Sequence, residues 1–472
     1  MEGRRLKVCH VFAGTQGGRW VCDQLEALRE TQGCDVTALL GGDEGPTADG
    51  CRAAGIRVAP FRFRFLGWTA FFTLPFSILR LAWWLRRERF DVVQSHVIQS
   101  TLFARPAAWL ADVPVRIEMV TGPYYMQAPS TRWMERATVW METGIVPSCD
   151  LTGALYRHAG VAERLIQPTL YYGPDEHRFD PARTRRADLR GELGLPADAP
   201  LIGSVALFYP KAPSNSFVPP EARDRHVKGH AELIGAMPAV LREFPEARLL
   251  LIGKGWGPTG DETESELRRL AAAQGVADRV VFVGYRADVA ELYLDLDVSV
   301  QASLNDNLGG TIESLLMARP TVATRVGGLV DSIVDGETGL LVAPGDPADL
   351  ARGILHMLRR PDEARRMGEA GRARMLSRFT LRTTAAGLAA LYERQRAAAP
   401  GAWRLPVSVG RLILAMMLHV PILGRALFFD LYLSTVLPHR WQSLKGRAAR
   451  LAWIAWTALR PGRVRRPSGT PR

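Results

Sequence analysis

Cysteine is scarce. Only five occur among 472 residues, at Cys9, Cys22, Cys34, Cys51 and Cys149. All lie in the first third, and no two stand in a Cys-x-x-Cys arrangement. A disulfide-framed fold and a cysteine zinc site are therefore not expected; the five read as reduced, mostly buried thiols of a cytosolic protein. Long apolar runs are also lacking. None reaches the roughly 18 uninterrupted residues that suit a spanning helix. Met1-Glu2-Gly3-Arg4-Arg5 runs into a strand-like stretch without an apolar signal segment, so secretion is not expected. Acidic charge is in deficit: 48 Asp and Glu face 60 Lys and Arg, giving a net charge of +12. No nucleic-acid motif accompanies that excess. The basic residues gather beside apolar aromatic stretches, a pairing that suits an anionic membrane surface. No internal repeat is present.

What the chain does have is length and alternation. Its 472 residues, 47% hydrophobic, are ample for two domains and an appendage. Strand-like runs at 6–12, 35–40, 91–96 and 113–119 alternate with helix-like ones, the first at 19–31. Such alternation implies parallel sheets covered by helices on both faces, with ligands at the carboxyl ends of the strands. Gly17 and Gly18 occupy the first such end, either as a contact to ligand or as a tight turn that needs glycine. His96 ends the third strand. It is read as a hydrogen-bonding group for donor or acceptor, with a packed, satisfied histidine as the alternative.

Most of the chemistry lies in Asn305-Asp306-Asn307-Leu308-Gly309-Gly310-Thr311-Ile312-Glu313. It joins a strand-like run to a helix-like one. Glycines at such a turn admit an anion close to the backbone, and the helix start favours phosphate. Glu313, about one turn in, can reach hydroxyls of whatever carries that phosphate. Upstream, Arg223-Asp224-Arg225-His226-Val227-Lys228-Gly229-His230 follows a strand at 201–206. Guanidinium and ammonium groups at a strand-end loop can neutralise a departing diphosphate; a solvated basic loop is the plainer alternative.

Together these segments resemble the nucleotide-binding half of a family 4 retaining glycosyltransferase of GT-B fold. The match extends over about 201–379. It includes Leu250-Leu251-Ile252-Gly253-Lys254-Gly255, Val281-Phe282-Val283-Gly284-Tyr285-Arg286, Gly327-Gly328 and Asp335-Gly336-Glu337-Thr338-Gly339. The resemblance implies two Rossmann-like domains facing a cleft: an acceptor-side domain at 1–180 and a nucleotide-sugar domain at 181–396. It also implies sugar transfer from a UDP- or GDP-linked donor to an acceptor hydroxyl, with retention, without metal or other cofactor. Lys228 and Arg223 then fall to the diphosphate, and the backbone of Gly309, Gly310 and Thr311 to its oxygens. Glu313 falls to the ribose and the Tyr285-Arg286 loop to the base.

Two departures from the family pattern are visible. The usual acidic residue eight positions before the second glutamate is Asn305 here, with Asp306 beside it; Asp306, or an amide of Asn305 or Asn307, is expected to face the donor sugar. A proline- and serine-rich insertion, 208–221, separates the strand from Arg223, so Arg225 or Lys211 stands as a substitute, and the insertion is expected over the donor cleft.

Two further regions concern the membrane. Residues 67–89 combine aromatics with Pro75, Arg80, Arg86 and Arg87, and read as a membrane-facing loop followed by a partly core helix. Residues 397–472 hold short apolar runs broken by Arg425 and Asp430, with tryptophans and arginines flanking the last. This tail reads as amphipathic helices in an anionic interface, with a packed helical subdomain as the alternative. The expectation is an enzyme peripheral to the inner face of the cell membrane, extending a lipid-linked saccharide or other glycan in surface-glycan assembly. A sugar-nucleotide 2-epimerase of the same fold and an inactive membrane scaffold are the alternatives. The base, the sugar and the acceptor are not specified by the sequence.

Overall fold

A computed structural model describes residues 4–61, 68–255 and 257–399. The tail beyond 399 and residues 62–67 lie outside the described residues.

Six parallel strands build the first lobe: β1 (Lys7–Phe12), β2 (Asp35–Leu40), β3 (Arg57–Pro60), β4 (Val92–His96), β5 (Val115–Val120) and β6 (Gly144–Pro147), in the order β3-β2-β1-β4-β5-β6. A second parallel sheet holds β7 (Leu201–Val205), β8 (Arg248–Ile252), β9 (Val280–Gly284), β10 (Val298–Gln301), β11 (Thr321–Thr324) and β12 (Leu340–Val342), in the order β12-β11-β10-β7-β8-β9. Both sheets are doubly wound. The order reverses between β1 and β4 and between β7 and β10, where loops leaving opposite ways open a crevice. Buried apolar residues cover both faces of each sheet. Along β1, Val8 packs into one core and Cys9 and Val11 into the other, as the two-residue pleat requires.

The lobes are joined twice. Tyr171 and Phe179 cross into the second lobe, where Tyr171 lies 4.1 Å from the Phe379 ring. The helix Leu381–Ala398 then returns: Leu388, Leu391 and Tyr392 are buried in the first lobe's core. That helix, assigned by sequence to the second domain, thus packs on the first. Its apolar stripe answers to the helix Arg19–Gln32, a partner hundreds of residues away.

Two other expectations change. Cys22 and Cys51 form a disulfide, their Cα atoms 5.1 Å apart, whereas Cys9, Cys34 and Cys149 are free and buried. The reading of all five as reduced thiols therefore fails for this pair. The helices Arg19–Gln32 and Pro46–Ala53 bring the two together across 29 positions, which no local spacing reveals. Within the segment 67–89 one helix, Trp68–Glu88, continues through Pro75. Leu74, Ile78, Leu81 and Leu85 are core, while Phe76 and Trp83 are 74% and 61% exposed. Among the described residues no helix is long and apolar enough to cross a membrane.

One buried polar cluster braces the first lobe. Arg105 donates to Glu118 at 2.6 Å, Glu135 at 2.9 Å and Glu142 at 3.0 Å, all inaccessible to solvent. It ties β5 to the helix Pro129–Thr138, which follows the short helix Tyr124–Gln127.

Candidate active site

The loop after β10 and the loop before the helix His230–Leu241 are stitched together. Leu304 N–H donates to the Val227 carbonyl at 2.7 Å. Gly229 sits at φ +69°, and a Cβ there would lie 1.8 Å from the Ala302 carbonyl oxygen. Only glycine permits that approach. The result aims Lys228 at Asp306, Nζ to Oδ2 at 2.7 Å. Ser303 Oγ donates to the same carboxylate at 2.8 Å, and Asn307 N–H to its other oxygen at 2.9 Å. Burial alone would lower the Lys228 pKa; the Asp306 charge outweighs it and holds the amine above its usual value.

Immediately downstream, Gly309 takes φ +52° and Gly310 precedes the short helix Thr311–Leu316. Glu313 lies within its first turn. Burial pushes its carboxyl up to about 7, with Arg178 and the Tyr293 hydroxyl pulling the other way. Tyr293 is buried and places its hydroxyl 3.3 Å from the Gly310 carbonyl and 3.5 Å from Glu313. One turn therefore gathers a cation, a poised carboxylate and a glycine-lined backbone, a set able to hold a diphosphate and its sugar hydroxyls.

Other expected residues separate from this cluster or join it differently. Arg223 is partly buried, and its Nε donates to the Val218 carbonyl at 3.2 Å, inside the insertion. Arg225 pairs with Glu232 at 2.7 Å and Lys211 with Glu266 at 2.9 Å, so neither substitute faces Asp306. Asn305 donates to Gln127 Oε1 at 2.5 Å, and Asn307 accepts from Ser148 Oγ at 3.0 Å. Both amides thus bind the opposite lobe, leaving Asp306 as the acidic group beside Lys228. Thr311 is fully buried, bonded to Ser332 and to the Leu308 carbonyl. Tyr285 is 73% exposed at the cleft end of β9. Arg286 is held by Asp288 and Glu192.

On the first lobe, Gly17 has φ +66°. The Gly18 N–H already donates to Thr47 Oγ1 at 3.0 Å, and a Cβ there would meet the Phe12 ring at 2.4 Å. Its requirement for glycine is thus explained by packing. His96 is fully buried. Its Nδ1 meets the Tyr172 hydroxyl at 2.9 Å and its Nε2 meets His10 at 3.1 Å, beneath the Trp20 ring. Desolvation, then the neighbouring His10, keeps its pKa well below the usual histidine value. The structure thus places His96 in the packed arrangement, with both ring nitrogens engaged.

Several site residues escaped sequence reasoning. Tyr293, Ser303 and Gln127 belong to no motif, and Gln127 reaches Asn305 across 178 positions. A cavity of about 580 Å³ also opens at the carboxyl ends of β2 and β3, lined by Asp43, Thr73, Ser77 and Arg80 among others. The insertion meets the first lobe as well: Ser130 Oγ donates to Ser216 Oγ at 2.7 Å.

Comparison with known proteins gives matches for both lobes. Residues 17–168 match the family model described as glycosyl transferase 4-like domain, and residues 222–360 the one described as glycosyl transferases group 1. The chain is 34% identical over 232 residues to D-inositol 3-phosphate glycosyltransferase 2 of Catenulispora acidiphila, covering 48% of this chain and 50% of that protein. The chain thus spans half the length of that relative. It is 28% identical over 329 residues to 2-deoxystreptamine glucosyltransferase of Streptomyces kanamyceticus, covering 66% and 79% respectively. In fold it resembles HepE of Anabaena, crystallised with UDP, at a TM-score of 0.67 and 18% identity, over 82% of this chain and 100% of that one.

Proposed function

We propose that this chain, which belongs to the family 4, group 1 glycosyltransferases of GT-B fold, transfers a sugar from a nucleoside diphosphate sugar to a saccharide acceptor, with retention and without a metal ion. The observation that carries the reading is the convergence of Lys228, Asp306, the Gly309-Gly310 turn and Glu313 at the carboxyl end of β10. HepE has been crystallised with UDP and with UDP-glucose, which favours the same donor class here.

As the glycosidic bond to the diphosphate breaks, positive charge spreads over the sugar ring and negative charge builds on the leaving oxygens. Lys228 neutralises that growing charge and so favours the transition state over the ground state, whereas Arg223 is turned into the insertion by its bond to the Val218 carbonyl. Asp306 aligns Lys228 and lies beside the donor sugar. Glu313 accepts hydroxyl hydrogens of the ribose, and Tyr285 offers an open aromatic face to the base. The carboxylate at Asp306 favours transfer over an inactive scaffold, since the acidic function missing at Asn305 is supplied one position later.

The 580 Å³ cavity of the first lobe takes the acceptor. Asp43 and the Ser77 hydroxyl match sugar hydroxyls, and Arg80, stacked 4.6 Å from the Phe61 ring, matches an anionic group. A lipid-linked glycan at the inner face of the cell membrane fits the basic, aromatic composition of the tail. The test is product analysis with a panel of nucleotide sugars and a native lipid extract. Transfer of one sugar without loss of anomeric configuration supports the reading. Interconversion of free nucleotide sugar without acceptor would establish an epimerase instead.

A further inference from the structure

We propose that the face of the first lobe at the amino ends of β1, β2 and β3, opposite the cleft, is a docking surface for anionic lipid headgroups. This rests on the membrane reading above and goes beyond it by naming the surface.

A shallow cavity of about 650 Å³ opens on that face. Six cations line it: Arg4, Arg5, Lys7, Arg29, Arg57 and Arg89. Against them stand four carboxylates, Asp35 and Glu88 on the lining with Asp91 and Glu30 paired to Arg4 and Arg29, a local balance of six minus four, or +2. Part of this charge is consumed internally. Arg57 and Lys7 share Glu88 at 2.8 and 3.2 Å, and Arg4 pairs with Asp91 at 3.1 Å. Arg5 and Arg89 have no side-chain partner among the described residues. Arg89 also sits at φ +56°, directly after the helix Trp68–Glu88. Glycine is the usual occupant of that conformation at a helix end, and arginine adopts it at a cost. A strained, unpaired cation at a cavity rim is placed to meet an external anion.

Two further observations indicate that the anion is a lipid surface. On the same helix, Trp83 is 61% exposed, with the Arg87 guanidinium 5.4 Å from its ring. An aromatic body beside a cationic head is the composition of an interfacial anchor. The chain also leaves the described structure here. Arg396, in the last turn of the helix Leu381–Ala398, reaches Asp91 at 3.5 Å, the carboxylate that holds Arg4. The basic, tryptophan-bearing residues beyond 399 thus begin beside this cavity, so tail and face can engage one bilayer together. With this face down, the cleft at the far ends of the six-residue strands stands about 20 Å or more above the headgroups. The acceptor must then already carry several sugar units, supplied by earlier glycosyl transfers.

The test uses the full chain and sedimentation with phosphatidylcholine vesicles, with and without phosphatidylglycerol. The variant is Arg5→Gln with Arg89→Asn, the second chosen because asparagine tolerates the left-handed conformation. Each surface cation contributes about 1 kcal/mol near an anionic membrane, so affinity for the anionic vesicles should fall about thirtyfold. Donor hydrolysis in the absence of vesicles should not change. The pair Arg365→Gln and Arg366→Gln, exposed on the second lobe, should leave vesicle affinity within twofold. If wild type binds anionic vesicles and the Arg5/Arg89 variant binds them equally well, the docking face is overturned and the tail alone suffices. If wild type does not distinguish the two vesicle types, the membrane reading itself falls.

Discussion

Among the described residues Lys228 is the cation directed at Asp306, and replacing it with alanine removes that charge and, by the proposed mechanism, the group facing the leaving diphosphate. The magnitude follows from its setting. Lys228 and Asp306 side chains are 19% and 9% exposed, so solvent screens the site only partly. Loss of a preorganised electrostatic stabiliser in such a site costs about 3–4 kcal/mol of transition-state stabilisation, or roughly 100- to 1000-fold in turnover. The ground-state effect should be smaller. A charge-assisted hydrogen bond contributes about 1.5–3 kcal/mol, so affinity for the free nucleoside diphosphate should fall roughly ten- to a hundredfold. Asp306 keeps Ser303 and the Asn307 amide as donors, and the fold should survive. The assay is release of nucleoside diphosphate under saturating donor, beside calorimetric titration of that diphosphate and a thermal melt. A variant that melts normally and turns over within twofold of wild type would refute the assignment of Lys228 to the leaving group.

Arg105→Leu should destabilise the first lobe by about 3–5 kcal/mol, because Glu118, Glu135 and Glu142 are left buried without their cation; a thermal melt should show a drop of about 10 °C. Glu313 gives a pH signature. Its carboxyl is raised in the folded state to about 7, so protonation favours folding and stability falls as pH rises from the unfolded value toward 7. Glu313→Gln should remove that part of the slope in melts taken from pH 5 to 8; an unchanged slope would show that Glu313 does not titrate there. Arg80→Ala should raise the acceptor KM about tenfold while donor hydrolysis stays constant, and equal effects on both would remove Arg80 from the acceptor cavity. Activity should persist in a chelator; full loss restored by manganese would contradict a metal-free mechanism.

Much of the fold was legible because each strand is short, apolar and followed at once by turn chemistry. The helix read at 19–31 is observed at Arg19–Gln32, and the strand read at 201–206 at Leu201–Val205. The glycine turn at 309–310 and the cation at Lys228 were visible for the same local reason: both stand at strand ends. What the sequence did not disclose depends on distant partners. The Cys22–Cys51 disulfide needs two helices to pack. The return of Leu388 and Tyr392 to the first lobe depends on a surface built by β1 and β4. His96 was read as a hydrogen-bonding group for ligand because it ends a strand, yet Trp20 and Tyr172 cover it from other elements. Whether Asp306 or an amide of Asn305 or Asn307 faces the donor sugar was open in sequence. The loop geometry turns Asn305 to Gln127 and Asp306 to Lys228.

The central claim is that one turn of the second lobe clasps a nucleoside diphosphate. Titrating UDP and GDP into wild type, Lys228→Ala and Glu313→Gln by calorimetry tests it most directly. The account predicts one site per chain for at least one of the two nucleotides, weakened in both variants while each remains folded. Binding unaffected by either substitution, or no heat from either nucleotide, would contradict it.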